Sequence, residues 1–472
     1  GKDAGLMLLR DIAFGGKASL LDQVDLVFVP TFNVDGHERS SAFNRPNQRG
    51  PENMGWRTTA QNLNLNRDYA KVDTPEMQAM VGLIGRLDPI LYLDLHVTDG
   101  TDYQYDVTYA FSGWDGKYAQ SEFVGRWLDT RFRPAMDAVV KKAGHVPFTY
   151  VSQIDSREPL KGIYHGADTA RFSTGYGDRR VVPTVLLENH SLKPYRRRVL
   201  GTYIFIEQAL KSAAQDVTRI QDAKAADRAA RPSTVTLAWK PDESKPMKTV
   251  PFLSVKYRME KSAITGREEI RWLGQPETVN MPVWGEVPAI TTTLPAAWWV
   301  PATKPDLIAR LKAQGIQMEM LDAPRTLTLD LVRLSDPKLG RANEGHVPLT
   351  AKFSHEMRQE VMPKGSVRVP ADQPLWRLAA ALLEAESPDS FLQWGFFPEI
   401  LSRTEYMEGY VIEPMAQKML AADPALKAAF EKKLAEDAAF AKDPNARLMW
   451  FYERSPYYDA RYLLYPVGRE AK

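Results

Sequence analysis

The sequence predicts an α/β protein in which a mostly parallel or mixed sheet is covered by helices, followed by a smaller β-rich domain and a helical extension. Three observations carry this reading. Short apolar runs alternate with helical periodicity over roughly the first two hundred residues, a polar, alanine-rich stretch at 212–232 breaks the composition, and β-type runs and then renewed helical patterns follow it.

The elements follow in order. Leu6, Leu9 and Ala13 recur at helical spacing before Gly15 and Gly16 end the helix, and Val24 to Pro30 (VDLVFVP) reads as a buried strand closed by proline. Thr74 caps a helix with Pro75 at its first position and Met77, Val81 and Ile84 on its apolar stripe, and Ile90 to Leu95 (ILYLDL) follows as a strand. A helix is expected over about 120–130, a short buried strand over 181–187 (VVPTVLL), and a helix ending near Leu210. In such sheets the sites lie at the carboxyl ends of the strands.

Residues 1–215 are thus expected to form the first domain and 216–231 a polar helical linker. Runs at 235–240, 250–259, 291–301 and 326–334 look like strands of a β-rich domain spanning 232–375, with one helix from Asp306 to Gln314 closed by Gly315. Residues 376–472 read as a helical, aromatic-rich extension; the rings of Trp394, Phe396 and Phe397 suit packing or a seam between domains.

Composition narrows the function classes. Length suggests two to four domains. With 61 Lys plus Arg against 59 Asp plus Glu, nothing favours a nucleic-acid or anionic-membrane partner. The absence of cysteine removes disulfides, thiolate metal sites and a cysteine nucleophile. No apolar run is long enough for a transmembrane span, and the opening GKDAGLMLLR is unlike a signal peptide, so any export signal is expected upstream of Gly1.

Three groups of residues could carry chemistry. His96 ends the strand ILYLDL two residues after Asp94, so the two side chains share one side at the strand mouth; a metal or catalytic role and a structural one both fit. Glu188 likewise ends an apolar strand and serves either as a general acid/base with a raised pKa or as a cap or ion-pair partner. Asn66 and Arg67, in the loop LNLNRDY, suit a planar carboxylate or a phosphate, and Arg57 in GWRTT adds a second cation. There is no G-x-S-x-G elbow, glycine-rich phosphate loop or H-E-x-x-H motif, and His355-Glu356 lacks a second histidine.

These residues occur in a familiar order. TFNVDG (31–36), GWRTT (55–59), NLNRDY (64–69), DLH (94–96) and LLE (186–188) together resemble the zinc metallocarboxypeptidases, the carboxypeptidase A-like family, and within it a bacterial branch with a long carboxyl-terminal extension. The resemblance covers about residues 1–210 and implies the phosphorylase/hydrolase-like carboxypeptidase fold. It implies that His96 is a ligand of one Zn2+ ion, that Glu188 is general base and acid, and that Arg57 polarises the scissile carbonyl. By the same resemblance Asn66 and Arg67 hold the free carboxyl terminus of a peptide substrate, and Tyr164, with Tyr176 as its rival, caps that substrate. The family's H-x-x-E motif, which supplies the other two zinc ligands, is expected upstream of Gly1, so residues 1–472 alone are expected to be inactive.

Asn64 stands where the family has an aspartate backing a ligand histidine, which implies weaker zinc binding. Asp168, Arg171 and Asp178 are the charged candidates for terminal-residue specificity, leaving basic, acidic and neutral residues open. A periplasmic or extracellular location is an implication of the family alone. Two further readings are a peptide- or cell-wall-fragment-binding protein without catalysis, and a protein that acts mainly through assembly by its extension.

Overall fold

A strand needs at least one neighbour to complete its hydrogen-bond ladder, and the computed structural model, which describes residues 1–472, shows which runs find one. β1 (Tyr92–Val97), β2 (Val107–Ala110), β3 (Pro147–Thr149) and β4 (Thr184–Asn189) form a four-stranded sheet in the order β1-β4-β2-β3. β1 runs parallel to β4 and β2 parallel to β3, while β2 and β4 are antiparallel, so the sheet is mixed.

Alternation along the central strands sorts their side chains into two faces. Val185 and Leu187 join Val107, Tyr109, Phe132 and Phe205 in a core beneath helices 122–127, 133–142 and 195–215. Leu93 and Leu95 pack on the same side, next to helix 2–14. The opposite parity, Tyr92, Asp94 and His96 on β1 and Leu186 and Glu188 on β4, faces away from those helices. Tyr92 there shares a 2.6 Å hydrogen bond between hydroxyls with Tyr69.

A β-rich part follows. Strands 248–261 and 268–284 pair as a long antiparallel hairpin, 234–241 pairs with 286–293, and a six-stranded sheet contains 297–300, 325–339 and 349–362. Helices 376–383, 409–422, 424–436, 438–442 and 444–452 come next. No helix is long and apolar enough to cross a membrane.

Val24–Pro30 joins no sheet, with Val27 and Val29 exposed by 55% and 41%. Val24 and Leu26 do rest on the helix side beside Leu93 and Leu95, but apolarity supplies no ladder partner for the backbone. The strand expected from 181 begins at Thr184, because Val181 adopts the left-handed conformation (φ 61°) that closes helix 173–180. The single helix expected over 120–130 is followed by a π-turn at 128–132 and a further helix at 133–142, with Pro134 in its first turn. Strand 268–284 was not expected at all.

The expected linker and extension are not loose appendages. Helix 217–229 is packed down: Asp227 accepts from the amides of Phe123 and Val124 at the start of helix 122–127, and Lys224 reaches Asp88 at 3.0 Å. The chain's last strand, 464–470, inserts between 297–300 and 325–339, so the helical extension returns to the β-rich sheet. One hydrophobic core runs from helix 75–87 through Trp298 and Leu311 to helix 376–383 and the aromatics 391–397, where the seam was expected.

Candidate active site

β1 and β4 are adjacent and parallel, and their register pairs His96 with Glu188. Both lie at the carboxyl ends of their strands on the same face, where the sheet opens into a cavity of about 600 Å3. Arg57, Asn66, Arg67, Tyr164 and Asp168 line the same cavity. The residues singled out on separate strands and loops are therefore neighbours.

The imidazole of His96 is held by its own strand. Two residues upstream, Asp94 places Oδ1 2.8 Å from Nε2. Burial opposes a charge on the ring, but the charge and hydrogen bond of Asp94, with help from Glu188, outweigh it and lift the pKa to about 9. Glu188 is only 8% exposed, and its Oε2 has no hydrogen-bond partner. Desolvation, aided by Asp94 and Asp99 and opposed by His96 and Arg45, pushes its carboxyl up to about 7. A carboxyl near neutrality at the edge of a cleft, with one buried oxygen left unpartnered, has the properties of a proton-transfer group.

The cationic wall comes from loops. Asn64 accepts from the Asn66 amide at 3.1 Å and so caps the short turn 65–67 that presents Asn66 and Arg67. Arg67 lies over the Phe172 ring at 4.5 Å, and burial holds its pKa below the usual guanidinium value. Arg57 is about half exposed and stands 3.9 Å from Asp99. Asn64 thus shapes the loop, and the acid that backs the imidazole is Asp94.

Tyr164 and its rival part company. Tyr164 lines the cavity, with its hydroxyl donating to Glu286, which also accepts from the Ala167 amide. Tyr176 is buried at 1% exposure, donates to Gln314 and packs on Tyr69, so it is a core residue. Of the three charged specificity candidates only Asp168 reaches the cavity. Arg171 is paired with Asp389 at 2.7 Å, and Asp178 caps the chain at Gln120 and Ser121.

Several lining residues were not singled out in the sequence. Arg45 enters from the loop before Gln48, and its charge acts on both His96 and Glu188. Trp239, Met247, Gly285 and Glu286 come from the β-rich part and form one wall of the cavity. Glu286 opens strand 286–293, and no local pattern marks it as a cavity residue.

The zinc ion implied by the resemblance needs three protein ligands. Nowhere do three or more of the chain's imidazoles and carboxylates gather in a group able to hold a metal. His96 stands alone in this respect, since its neighbour Asp94 is bound to the ring itself. The residues present therefore do not fit that ion.

Comparison with known proteins bears on the same region. The family model for zinc carboxypeptidases matches residues 16–141. Over that span the chain is homologous to the zinc carboxypeptidases. The match takes in Arg57, Asn66, Arg67 and His96 and ends before Tyr164 and Glu188. Carboxypeptidase 2 of Trichophyton equinum and of Trichophyton tonsurans are each 21% identical over 426 residues, covering 84% of this chain and 71% of theirs. Carboxypeptidase 2 of Trichophyton rubrum is also 21% identical, over 417 residues. These relatives are fungal and lend no support to a bacterial branch. No solved structure gives a significant match. At the level of the superfamily the chain stands with metallopeptidase-type hydrolases.

Proposed function

We infer that the cleft recognises a peptide or peptide-like substrate by its free carboxyl terminus, and that the reaction it serves is hydrolysis of the adjoining amide bond. The observation that carries this is the register pairing of His96 with Glu188 in one cavity with Asn66 and Arg67. A guanidinium beside an amide matches the geometry of a carboxylate, and a carboxyl poised near neutrality can take a proton from water and return it to a leaving amine. Arg57 serves to draw charge onto the carbonyl oxygen of the bond to be broken.

The chain's own residues supply recognition and proton transfer but no three-ligand metal group. Residues 1–472 are therefore expected to bind such ligands without measurable turnover. The names of the fungal relatives support the carboxypeptidase reading, and the family resemblance leads us to propose action in the periplasm or outside the cell. The second reading, a peptide-binding protein of the same architecture, is favoured by one observation, an imidazole already held by Asp94.

Titration with acetyl-alanyl-leucine as free acid and as amide tests the recognition. The acid is expected to bind about 10-fold or more tighter, the worth of a hydrogen bond to a charged group, and Arg67→Gln to remove the difference. Equal binding of acid and amide would overturn the role given to Arg67. Turnover by zinc-supplemented residues 1–472 would overturn the expectation of inactivity.

A further inference from the structure

Arg45 is placed by a built loop. Its backbone is in the left-handed region (φ 54°), where a side chain other than glycine stays only if its surroundings hold it. Asn44 provides part of that hold: it is buried, and its side-chain amide donates to the carbonyls of Arg39 and Met54, both at 2.8 Å. The amide of Gln48 closes the turn onto the Arg45 carbonyl at 3.0 Å. The Gln48 side chain reaches the carbonyls of Val97 and Thr98, both at 3.4 Å, at the end of the strand that carries His96. The loop thus directs a guanidinium into the cavity beside His96 and Glu188.

That guanidinium is partly buried, and no carboxylate stands within 4.0 Å of it. Arg67 is in the same position, its one side-chain hydrogen bond going to the carbonyl of Asn66. The only ion pair formed by the cavity's arginines is the loose one between Arg57 and Asp99 at 3.9 Å. Asp99 and Glu188 act on Arg45, and Glu344 and Asp168 on Arg67, only from a distance. Asp168 accepts from the Thr174 hydroxyl, Glu286 is taken by Tyr164 and Ala167, and one oxygen of Glu188 is free. Partly buried cations with no counter-ion in contact offer places for anions from outside.

We propose that the cleft takes a dianionic peptide-like ligand, whose free carboxyl terminus lies at Asn66 and Arg67 and whose second carboxylate, from a side chain flanking the bond presented to Glu188, pairs with Arg45. This rests on the carboxyl-terminal recognition proposed above. It makes the site selective for acidic substrates, a selectivity set by a loop outside the sheet. Glutamate and glutamine have nearly the same shape, so exchanging one for the other isolates the charge.

The test is equilibrium binding to residues 1–472, followed by NMR or calorimetry. Two free-acid pairs are compared: acetyl-alanyl-glutamate with acetyl-alanyl-glutamine, and acetyl-glutamyl-alanine with acetyl-glutaminyl-alanine. The amide of acetyl-alanyl-glutamine is the control for the terminus. In one pair the acidic member is expected to bind at least about 10-fold tighter, as for a charge-assisted hydrogen bond, and that pair shows on which side of the bond the second anion lies. Arg45→Gln is expected to lose the preference. No glutamate preference in either pair, with the free terminus still favoured over the amide, overturns the second anion and leaves the recognition reading standing. A preference that survives in the Arg45→Gln protein overturns the assignment to Arg45. Equal binding of acid and amide, or no binding, overturns both, and the wild-type comparison stands whether or not the variant folds.

Discussion

Asp73 ties the loop that carries Asn66 and Arg67 to the β-rich part, and its titration gives a measure of that tie. Its carboxylate lies 3.1 Å from Lys71, 2.8 Å from Arg310 and 2.9 Å from His346, the last two belonging to the β-rich part. Burial alone would raise its pKa. The hydrogen bond of His346 and the charges of Lys71 and Arg310 outweigh burial and bring it from 3.8 to about 2. A folded-state pKa below the unfolded one means that the unfolded chain binds more protons between the two values. The stabilisation is therefore complete well above 3.8 and is lost as pH falls toward 2. A shift of nearly two units corresponds to about 2 kcal/mol, with roughly half of it left at pH 3.

Asp73→Asn keeps the shape and removes the charge. Urea denaturation followed by tryptophan fluorescence is the assay, run at pH 6 and pH 3 on both proteins. Wild type is expected to exceed the variant by about 2 kcal/mol at pH 6 and by roughly half that at pH 3. A gap that does not change with pH, or no gap at pH 6, would refute the ion-pair account of this junction.

Three further outcomes are expected. Glu188→Gln has the opposite pH signature: a carboxyl raised from 4.5 to about 7 stays protonated in the folded chain, so it costs stability progressively as pH rises through that window. The variant should gain on wild type by up to about 3 kcal/mol between pH 5 and pH 8 in denaturation curves, and parallel pH dependence would contradict the buried-acid assignment. Zinc followed by a chelator should leave the thermal midpoint in place, because His96 has no second and third ligand, whereas a chelator-reversible rise would show a metal group that the fold does not display. Glu286→Ala should speed hydrogen exchange at the Ala167 amide, which loses its acceptor, and unchanged exchange would mean that Glu286 does not hold the Tyr164 loop.

The ends of β1 and β4 were legible because an apolar run that stops at a single polar residue identifies a strand mouth without any long-range information. His96 and Glu188 follow from that pattern, and the tertiary register sets them side by side. Asn66 and Arg67 were found by their pairing in a polar loop just ahead of a capped helix. Arg45 was not, because the loop SSAFNRPNQRG has no periodicity, and its direction depends on Asn44 and Gln48 meeting distant carbonyls. Val24–Pro30 failed for a related reason: strand composition does not create a neighbour, and β1 pairs only with β4. The continuation of the helix expected over 120–130 into 133–142 was missed, because Pro134 sits in the first turn of the new helix, where its missing N–H costs nothing. Glu286 and strand 464–470 owe their places to segments more than a hundred residues away, contacts that no local window contains.

The most direct measurement is a crystal structure of residues 1–472 with acetyl-alanyl-glutamate bound. Its terminal carboxylate is expected within about 3 Å of the Arg67 guanidinium and the Asn66 amide, with the amide bond lying toward Glu188. A ligand seated outside this cavity, or one bound with its acetyl end at Arg67, would contradict carboxyl-terminal recognition.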